Sequence, residues 1–422
     1  MIKKIVAFVL FFAFFCVPAF SAQSVTIEFW HAMRGEKKDA ITELVNQFMK
    51  ENPDIIVKEI AVISPDRRTN GNDYTFLYKK MIQALAMQQQ PDLAQVYENW
   101  TTQFVEINAI TPVSRFDNTK YALSESDKQD FFPIFRNACS YNNVMWTIPF
   151  NKSIYVMFYN EEMLKSKGVK PPKTWSELRE AAAKLTVREN GQTTKYGLAF
   201  VPTVDVVGHL LYSNGGEFIS GNRAAFGDRI GLEAIDYWVN LVNNDKTACP
   251  TFDAYKDFLS GKAAIYLDTT SRIGSLKSSC PFEYGIAVLP SGSSTLYQCA
   301  GTNLAIFSSS EERKLASWRL IKFLTNKENT VKLSIATGYL PVRQSAYKSN
   351  EYQTYLKEYP GYKVGIDALK YGVTQPRISA WESIRGFIND AVYSAVSNPE
   401  TSKEALKRAV YSSDELLKGV SN

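Results

Sequence analysis

The feature that most constrains the fold is a regular alternation of strand-like and helix-like segments near the amino terminus. "VTIEFW" places apolar side chains at every second position, which predicts a strand. Apolar residues then recur every three or four positions from Ile41 to Met49, as on one face of a helix. A second strand from Ile55 to Ile63, a second helix around Tyr78 to Met87 and a third strand in "DLAQVYE" follow. This order predicts a parallel sheet with right-handed crossovers.

The rest of the chain continues in the same style. "MWTIPFNKSIYVMFYN" is extended, "PPKTWSELREAAAKL" begins as a proline-started, Thr-capped helix, and "YGLAF" is a strand. Further helices are predicted around Arg229 to Asn244 and Glu312 to Leu324, and the last forty residues are helical with a break at Asn398-Pro399.

No Gly/Ser-rich linker separates these segments, which favours two lobes joined by strands and able to hinge. We predict the α/β class, with a mostly parallel sheet flanked by helices in each lobe and a ligand in the cleft between them. The predicted first lobe is 23–150 with about 300–345, and the second is 151–299 with about 346–422.

The first residues have the pattern of a secretory signal. Two lysines precede an apolar run from Ile5 to Phe15, and small residues follow it. We therefore predict a signal peptide over 1–22, with cleavage after Ser21 or Ala22 rather than lipid anchoring at Cys16. Export to the periplasm follows from this prediction.

Charge and motif content exclude several functions. Removal of Lys3 and Lys4 takes the formal charge from +5 to +3, which argues against a nucleic-acid partner. The 422 residues contain two histidines, His31 and His209, and lack nucleotide-binding and hydrolase motifs. The 43 acidic residues always include candidates for glycoside hydrolysis, but no local context singles any out. We predict no catalytic residues, no metal site and no cofactor.

The predicted mature chain keeps four cysteines, an even number that permits disulfides in an exported protein. A Cys280–Cys299 bond would close a short loop, and free thiols at these positions and at Cys139 and Cys249 are the alternative.

Polar and aromatic residues stand beside the predicted strands, where open α/β sheets bind ligands. Glu98 ends the third strand, and Tyr74 lies in the loop before the second helix. Ser153 follows "PFNK", Thr269 follows "AAIYLD", and Gly301 stands just before another strand. We expect these five to face the cleft.

The stretch "ATGYLPVR" ends a predicted helix with Gly338 and prevents its continuation with Pro341. Tyr339 is thereby held at a defined exit, where its ring can line a cleft and its O–H can reach a bound anion.

Several segments together carry a family resemblance: "FWHAMRGE", "FMKENPD", "QQPDLAQVYE", "PFNKSIYVMFYN", "PPKTW" and "TGYLP". From about Val25 to Leu417 the chain resembles the family-1 extracellular solute-binding proteins of ABC importers, in the branch that binds glycerol phosphate. The resemblance implies two α/β lobes, an inner-membrane permease as partner and a monomeric receptor.

The resemblance also implies roles for single residues. Tyr74 matches a tyrosine of the cleft, and Glu98 matches a glutamate that accepts hydrogen bonds from glycerol hydroxyls. The positions that match phosphate-holding groups are Ser153, Gly301 through its backbone N–H, Tyr339 and Arg385, with Thr269 where the family has serine. Such a set suits a phosphate monoester, because one arginine supplies a bidentate clamp and the hydroxyls complete the shell.

The chain departs from that family in one segment. A tryptophan-rich stretch of the second lobe, whose ring stacks on glycerol, is replaced here by "AFVPTVDVVGHLLYSNGG". Tyr212, His209 or Phe200 is a candidate for that role. The sequence does not identify the chemical group at the non-phosphate end of the ligand.

The leading hypothesis is an extracytoplasmic receptor for glycerol-3-phosphate or a related phosphorylated polyol. One alternative is an oligosaccharide receptor, in which Arg385 holds sugar hydroxyls or a uronate. Another is a secreted phosphodiester or glycoside hydrolase. Arg385 also suits an ordinary surface pair with Glu382, and His31 suits a hydrogen-bonded histidine at a strand end.

Overall fold

A computed structural model describes residues 24–65, 73–307, 310–397 and 401–420. The predicted signal peptide and the break at Asn398-Pro399 lie outside these ranges. Among the described residues, helices and strands alternate along most of the chain.

The strands are β1 (Val25–His31), β2 (Ile55–Ala61), β3 (Leu93–Val96), β4 (Ser140–Tyr141), β5 (Val144–Met145), β6 (Ile148–Asn160), β7 (Val187–Glu189), β8 (Gln192–Phe200), β9 (Ile219–Ser220), β10 (Arg223–Ala224), β11 (Ala248–Pro250), β12 (Ala263–Thr269), β13 (Tyr284–Val288), β14 (Tyr297–Ile306) and β15 (Gly372–Val373).

The helices are α1 (Gly35–Glu51), α2 (Asp73–Ala86), α3 (Glu98–Glu106), α4 (Glu125–Asp130), α5 (Pro133–Asn137), α6 (Glu161–Ser166), α7 (Trp175–Leu185), α8 (Val204–Ser213), α9 (Arg229–Val239), α10 (Ala254–Leu259), α11 (Ile273–Ser279), α12 (Glu311–Leu324), α13 (Lys327–Thr337), α14 (Gln344–Tyr347), α15 (Asn350–Glu358), α16 (Lys363–Ala368), α17 (Trp381–Ser397) and α18 (Ser402–Val420).

The first sheet half contains β1, β2 and β3. β1 pairs in parallel with both β2 and β3, so the predicted β-α-β-α-β unit is confirmed. α1 buries Ile41, Leu44, Val45 and Phe48, which share one helix face because they are spaced by three or four residues. Antiparallel pairing of β14 with β3 closes this half.

The second sheet half contains β6, β8, β11, β12 and β13. β8 pairs in parallel with β11 and β12, whereas β6 pairs antiparallel with β12 and β13. α7 begins as predicted, because the Thr174 side chain accepts a hydrogen bond from the Glu177 N–H. α17 covers this half by packing against α8 and α9, and α18 packs against α17 and α9.

The two halves share β6 and β14, which pair with each other. The predicted lobe boundaries, near 150 and 300, fall inside these two strands. A division within shared strands places hinge points in the sheet itself, and this division stays a prediction. No helix in the described ranges is long and apolar enough to cross a bilayer.

Candidate functional site

A cleft of about 1130 Å³ lies beside the shared strands and is lined by residues of both sheet halves. All seven residues that the sequence singled out line this cleft: Tyr74, Glu98, Ser153, Thr269, Gly301, Tyr339 and Arg385. The structure therefore brings together positions that lie up to about 300 residues apart in the chain. Their role in binding a ligand stays a prediction.

Tyr339 is held by the end of α13. Gly338 caps this helix with φ of 78°, and a Cβ at that position would lie 2.6 Å from the Thr270 carbonyl oxygen. The backbone N–H of Tyr339 donates to Thr337 Oγ1 at 3.2 Å. Leu340 then pairs with Lys152 of β6. The tyrosine side chain therefore enters the cleft from a backbone anchored on both sides.

Tyr74 lies in the first turn of α2 and not in the preceding loop as predicted. Asn151 Nδ2 donates to its hydroxyl at 3.1 Å. Burial raises the pKa of Tyr74 well above its usual range, and the neighbouring hydroxyls of Tyr339 and Tyr97 raise it further. Tyr74 therefore stays a neutral O–H group at physiological pH.

Glu98 is the first residue of α3, so the prediction that it ends a strand is wrong; β3 stops at Val96. Lys152 Nζ donates to Glu98 Oε1 at 2.6 Å. The Lys152 side chain is only 1% exposed. Because a buried ammonium requires a partner, Lys152 pairs with the Glu98 carboxylate and fixes its orientation. A ligand therefore meets a neutral ion pair.

Lys152 was missed by the sequence analysis, although a signal was present. A lysine inside the apolar strand of "TIPFNKSIYVMF" has no solvent-facing side if the strand is covered on both faces. Burial on both faces became clear only from the position of β6 between the two halves.

Arg385 projects from α17 into the cleft wall. Its guanidinium lies 5.8 Å from the Tyr97 ring centroid, and Nη1 lies 3.8 Å from Glu382 Oε2. The side chain is 13% exposed, so the alternative of an ordinary surface pair is wrong. Burial lowers the pKa of Arg385, but the carboxylates of Asp205 and Glu382 raise it more. Within the described chain, its Nε has no hydrogen-bond partner.

Hydroxyls of the second half form a short chain with a lysine of the first. Thr269 Oγ1 lies 2.9 Å from Ser271 Oγ, which accepts from Lys37 Nζ at 3.1 Å. The Lys37 ammonium also lies 5.0 Å from the Tyr339 ring centroid. Lys37 thus places an ammonium group in the cleft beside Tyr339, at a residue to which the sequence assigned no role.

Gly301 lies inside β14 and not before a strand as predicted. Its φ is 97°, and a Cβ there would overlap the Asn151 carbonyl oxygen. The adjacent Ala300 pairs with Ser153 of β6, so both predicted residues lie where the shared strands face the cleft. Only glycine suits this backbone.

The three candidates for replacing the missing tryptophan have separate environments. Phe200 is buried with its ring centroid 4.6 Å from that of Trp238, in the core. Tyr212 packs edge-on against Phe218. Of the three, His209 alone lines the cleft. Its ring lies 4.5 Å from that of Tyr155, which is also a lining residue.

Burial of the neutral His209 imidazole is expected to make the stability of the protein depend on pH. Burial lowers its pKa from 6.5 to about 4, against a smaller raising effect of Asp205. The unfolded chain therefore binds a proton more readily, so this stabilisation is present above pH 6.5 and is lost as pH falls towards 4. We expect the wild type to lose about 2 kcal/mol more between pH 7 and 5 than His209→Gln. Urea unfolding of both proteins at the two pH values measures the difference, and equal losses would contradict it.

The remaining sequence predictions concern structural residues. His31 is buried, with Nε2 2.9 Å from Glu59 Oε1 and Nδ1 accepting from the Met33 N–H at 3.1 Å, which confirms it as a hydrogen-bonded histidine. Cys139, Cys249, Cys280 and Cys299 are free thiols, so the suggested Cys280–Cys299 disulfide is absent. In the described part of the chain, no group of three or more histidine, cysteine or acidic side chains suits a metal ion.

Comparison with known proteins identifies related sequences. The model of a family described as bacterial extracellular solute-binding protein matches residues 43–360. The sn-glycerol-3-phosphate-binding periplasmic protein UgpB of Escherichia coli O1:K1 is 26% identical over 425 residues, which covers 94% of each chain.

Solved structures share the fold. UgpB from Mycobacterium tuberculosis in complex with glycerophosphocholine has a TM-score of 0.84 and 22% identity, covering 94% of this chain and 99% of the other. The GacH receptor of Streptomyces glaucescens, solved unliganded and with acarbose, has a TM-score of 0.80 and 23% identity with the same coverage. These matches confirm the predicted class, the two-lobed α/β fold of type II periplasmic binding proteins.

Proposed function

This chain belongs to the bacterial extracellular solute-binding protein family, and we propose that it is the periplasmic receptor of an ABC importer for glycerol-3-phosphate or a related glycerophosphodiester. It is a binding protein and not an enzyme. The proposed partner is an inner-membrane permease, to which the monomeric receptor delivers its ligand.

The observation that carries the proposal is the largely buried arginine in the cleft wall, whose side chain is 13% exposed. Arg385 presents an Nε without a partner among the described residues, in a cleft that also contains Lys37, Ser153 and Tyr339. A phosphate monoester carries nearly two negative charges and several acceptor oxygens, and it pairs with a planar guanidinium in bidentate geometry. The 26% identity to a glycerol-3-phosphate-binding relative supports the same ligand class.

Pairing of Glu98 with Lys152 removes an objection to this ligand. A lone carboxylate in the cleft would repel phosphate, but the Lys152 ammonium at 2.6 Å compensates its charge. Glu98 keeps a second carboxylate oxygen, Oε2, as an acceptor for glycerol hydroxyls. We propose that the glutamate binds the polyol end and the arginine binds the phosphate end.

Contacts across the cleft are consistent with capture by closure. Lys37 Nζ donates to Ser271 Oγ, and Ser278 Oγ donates to Glu36 Oε1 at 2.7 Å, so the start of α1 contacts both α11 and the turn that follows β12. A ligand held by both sheet halves would stabilise the closed form by the difference in its affinity for the two forms.

Titration calorimetry of the mature protein with sn-glycerol-3-phosphate, a glycerophosphodiester and maltotriose tests the proposal. We expect binding of the phosphate ligands and none of maltotriose. Binding of maltotriose alone would establish the oligosaccharide alternative instead. Mass spectrometry of the ligand recovered after denaturation should return it unchanged, whereas hydrolysis products would overturn the receptor function.

A further inference from the structure

His209 is a buried polar residue that the proposed phosphate and glycerol contacts leave unused. It lies on α8, lines the cleft and is 3% exposed. Neither ring nitrogen has a hydrogen-bond partner in the described part of the protein. Burying such groups without partners costs about 1–3 kcal/mol each, so a polar partner in the cleft is expected.

Two further polar groups lie on the same side of the cleft. Asp205 precedes His209 by one helical turn, so the two side chains project from the same face of α8. Its Oδ1 accepts from Gln298 Nε2 and Gln375 Nε2, both at 2.7 Å. Tyr155 completes the group, with its ring edge-on to the imidazole at 4.5 Å. These contacts orient the aspartate before any ligand binds.

We propose that Tyr155, Asp205 and His209 form a subsite for a polyhydroxylated group joined to the glycerol phosphate, so that the preferred ligand is a phosphodiester with a polyol head. This inference rests on the proposed function and adds the class of head group.

Hydroxyls match the donors and acceptors of this subsite. A carboxylate accepts O–H groups, and a neutral imidazole accepts at one nitrogen and donates from the other. Burial lowers the pKa of His209 to about 4, so the ring is neutral at physiological pH. The subsite thus offers both donors and acceptors. Neighbouring hydroxyls of a polyol fit this arrangement, because each hydroxyl can donate one hydrogen bond and accept another.

The local charge disfavours a cationic head group. The Asp205 carboxylate interacts electrostatically with the Arg385 guanidinium, and together with Glu382 it raises the pKa of that arginine. A quaternary ammonium would have to share this carboxylate with a fixed arginine cation.

Cleft volume agrees with a ligand larger than glycerol phosphate. The cleft measures about 1130 Å³, slightly above the roughly 300–1,000 Å³ typical of pockets for drug-sized ligands. A monoester would contact the arginine and glutamate and leave the α8 side of the cleft to solvent.

Calorimetry with three probes tests the subsite: sn-glycerol-3-phosphate, glycerophosphoglycerol and glycerophosphocholine. We expect the wild type to bind the polyol diester at least about tenfold more tightly than the choline diester, the equivalent of one hydrogen bond. His209→Phe keeps an aromatic ring but removes both nitrogens. It should lose this tenfold preference, with a smaller change in its affinity for glycerol-3-phosphate than in its affinity for glycerophosphoglycerol. His209→Gln retains a donor and an acceptor and should restore part of it.

Histidine ring NMR gives a test on the wild-type protein. The sequence contains only His31 and His209, so two imidazole spin systems are expected. Glycerophosphoglycerol should shift the His209 ring nitrogens, whereas His31, bonded to Glu59 and Met33, is an internal control that should not move.

The outcomes separate the inference from the proposed function. If no phosphate probe binds, the proposed function fails and the subsite with it. If glycerol-3-phosphate binds but the two diesters bind equally and the His209 signals stay unchanged, the subsite alone is wrong. An equal loss of affinity for all three probes in His209→Phe would assign His209 a structural role and overturn the subsite.

Discussion

Replacing Arg385 by alanine is expected to weaken glycerol-3-phosphate binding by about 100-fold or more. Two charge-assisted hydrogen bonds to a phosphate contribute about 3 kcal/mol, which corresponds to more than two orders of magnitude in Kd. The substitution also leaves Asp205 and Glu382 without the cation that compensates them, and their field repels the anion. Titration calorimetry of the purified mature variant measures the loss.

Two matched variants show whether the loss belongs to this position. Arg385→Lys keeps the positive charge but lacks the planar fork, so it should recover only part of the affinity. Arg115→Ala removes an exposed arginine that pairs with Glu311 and is not among the cleft residues, so it should leave the affinity unchanged. Unchanged affinity in Arg385→Ala, with unfolding like that of the wild type, would show that the arginine does not bind the phosphate.

Replacing Gly301 by alanine is expected to lower the free energy of unfolding by at least about 3 kcal/mol. The backbone at Gly301 has φ of 97°, which disfavours any residue with a Cβ. The new methyl would also overlap the Asn151 carbonyl in the neighbouring shared strand. Strain at such a backbone costs about 1–3 kcal/mol before the overlap is relieved. Because β6 and β14 would have to separate, binding of the phosphate ligand should weaken as well.

Gly386→Ala is the matched control for this prediction. Gly386 lies inside α17, and a Cβ there meets no described atom within 4 Å. The same chemical change should therefore stabilise the protein, by about 0.5–1 kcal/mol, because alanine loses less backbone entropy in a helix. Urea unfolding of both variants gives the comparison. If both substitutions changed the free energy of unfolding equally, the strained backbone at Gly301 would not be the cause of the destabilisation.

Helix and strand types were predictable where a local period is strong. α1 follows from apolar residues spaced by three or four, and β1 from alternation, because these periods reflect the geometry of single elements. The boundaries near Glu98 and Tyr74 were less well predicted. "VYENW" has no glycine or proline to mark where β3 ends and α3 begins.

Pairings between distant segments were not predictable from local pattern. The Lys152–Glu98 ion pair joins residues 54 positions apart. Its energy comes from the exclusion of water between β6 and α3 and not from either segment alone. The same holds for the antiparallel pairing of β6 with β14, which was not anticipated, and for the four free thiols.

By itself, the sequence determined the α/β class, the alternation of elements, the helix end at Gly338 and seven residues that line the cleft. These depend on local periodicity, on glycine stereochemistry or on segments that resemble a known family. Only the tertiary structure decided which charges are paired. It compensates Glu98 with Lys152, surrounds Arg385 with Asp205 and Glu382, and leaves His209 in the cleft wall. Electrostatic free energies depend on distance and burial in three dimensions, and a linear sequence specifies neither until the strands have paired.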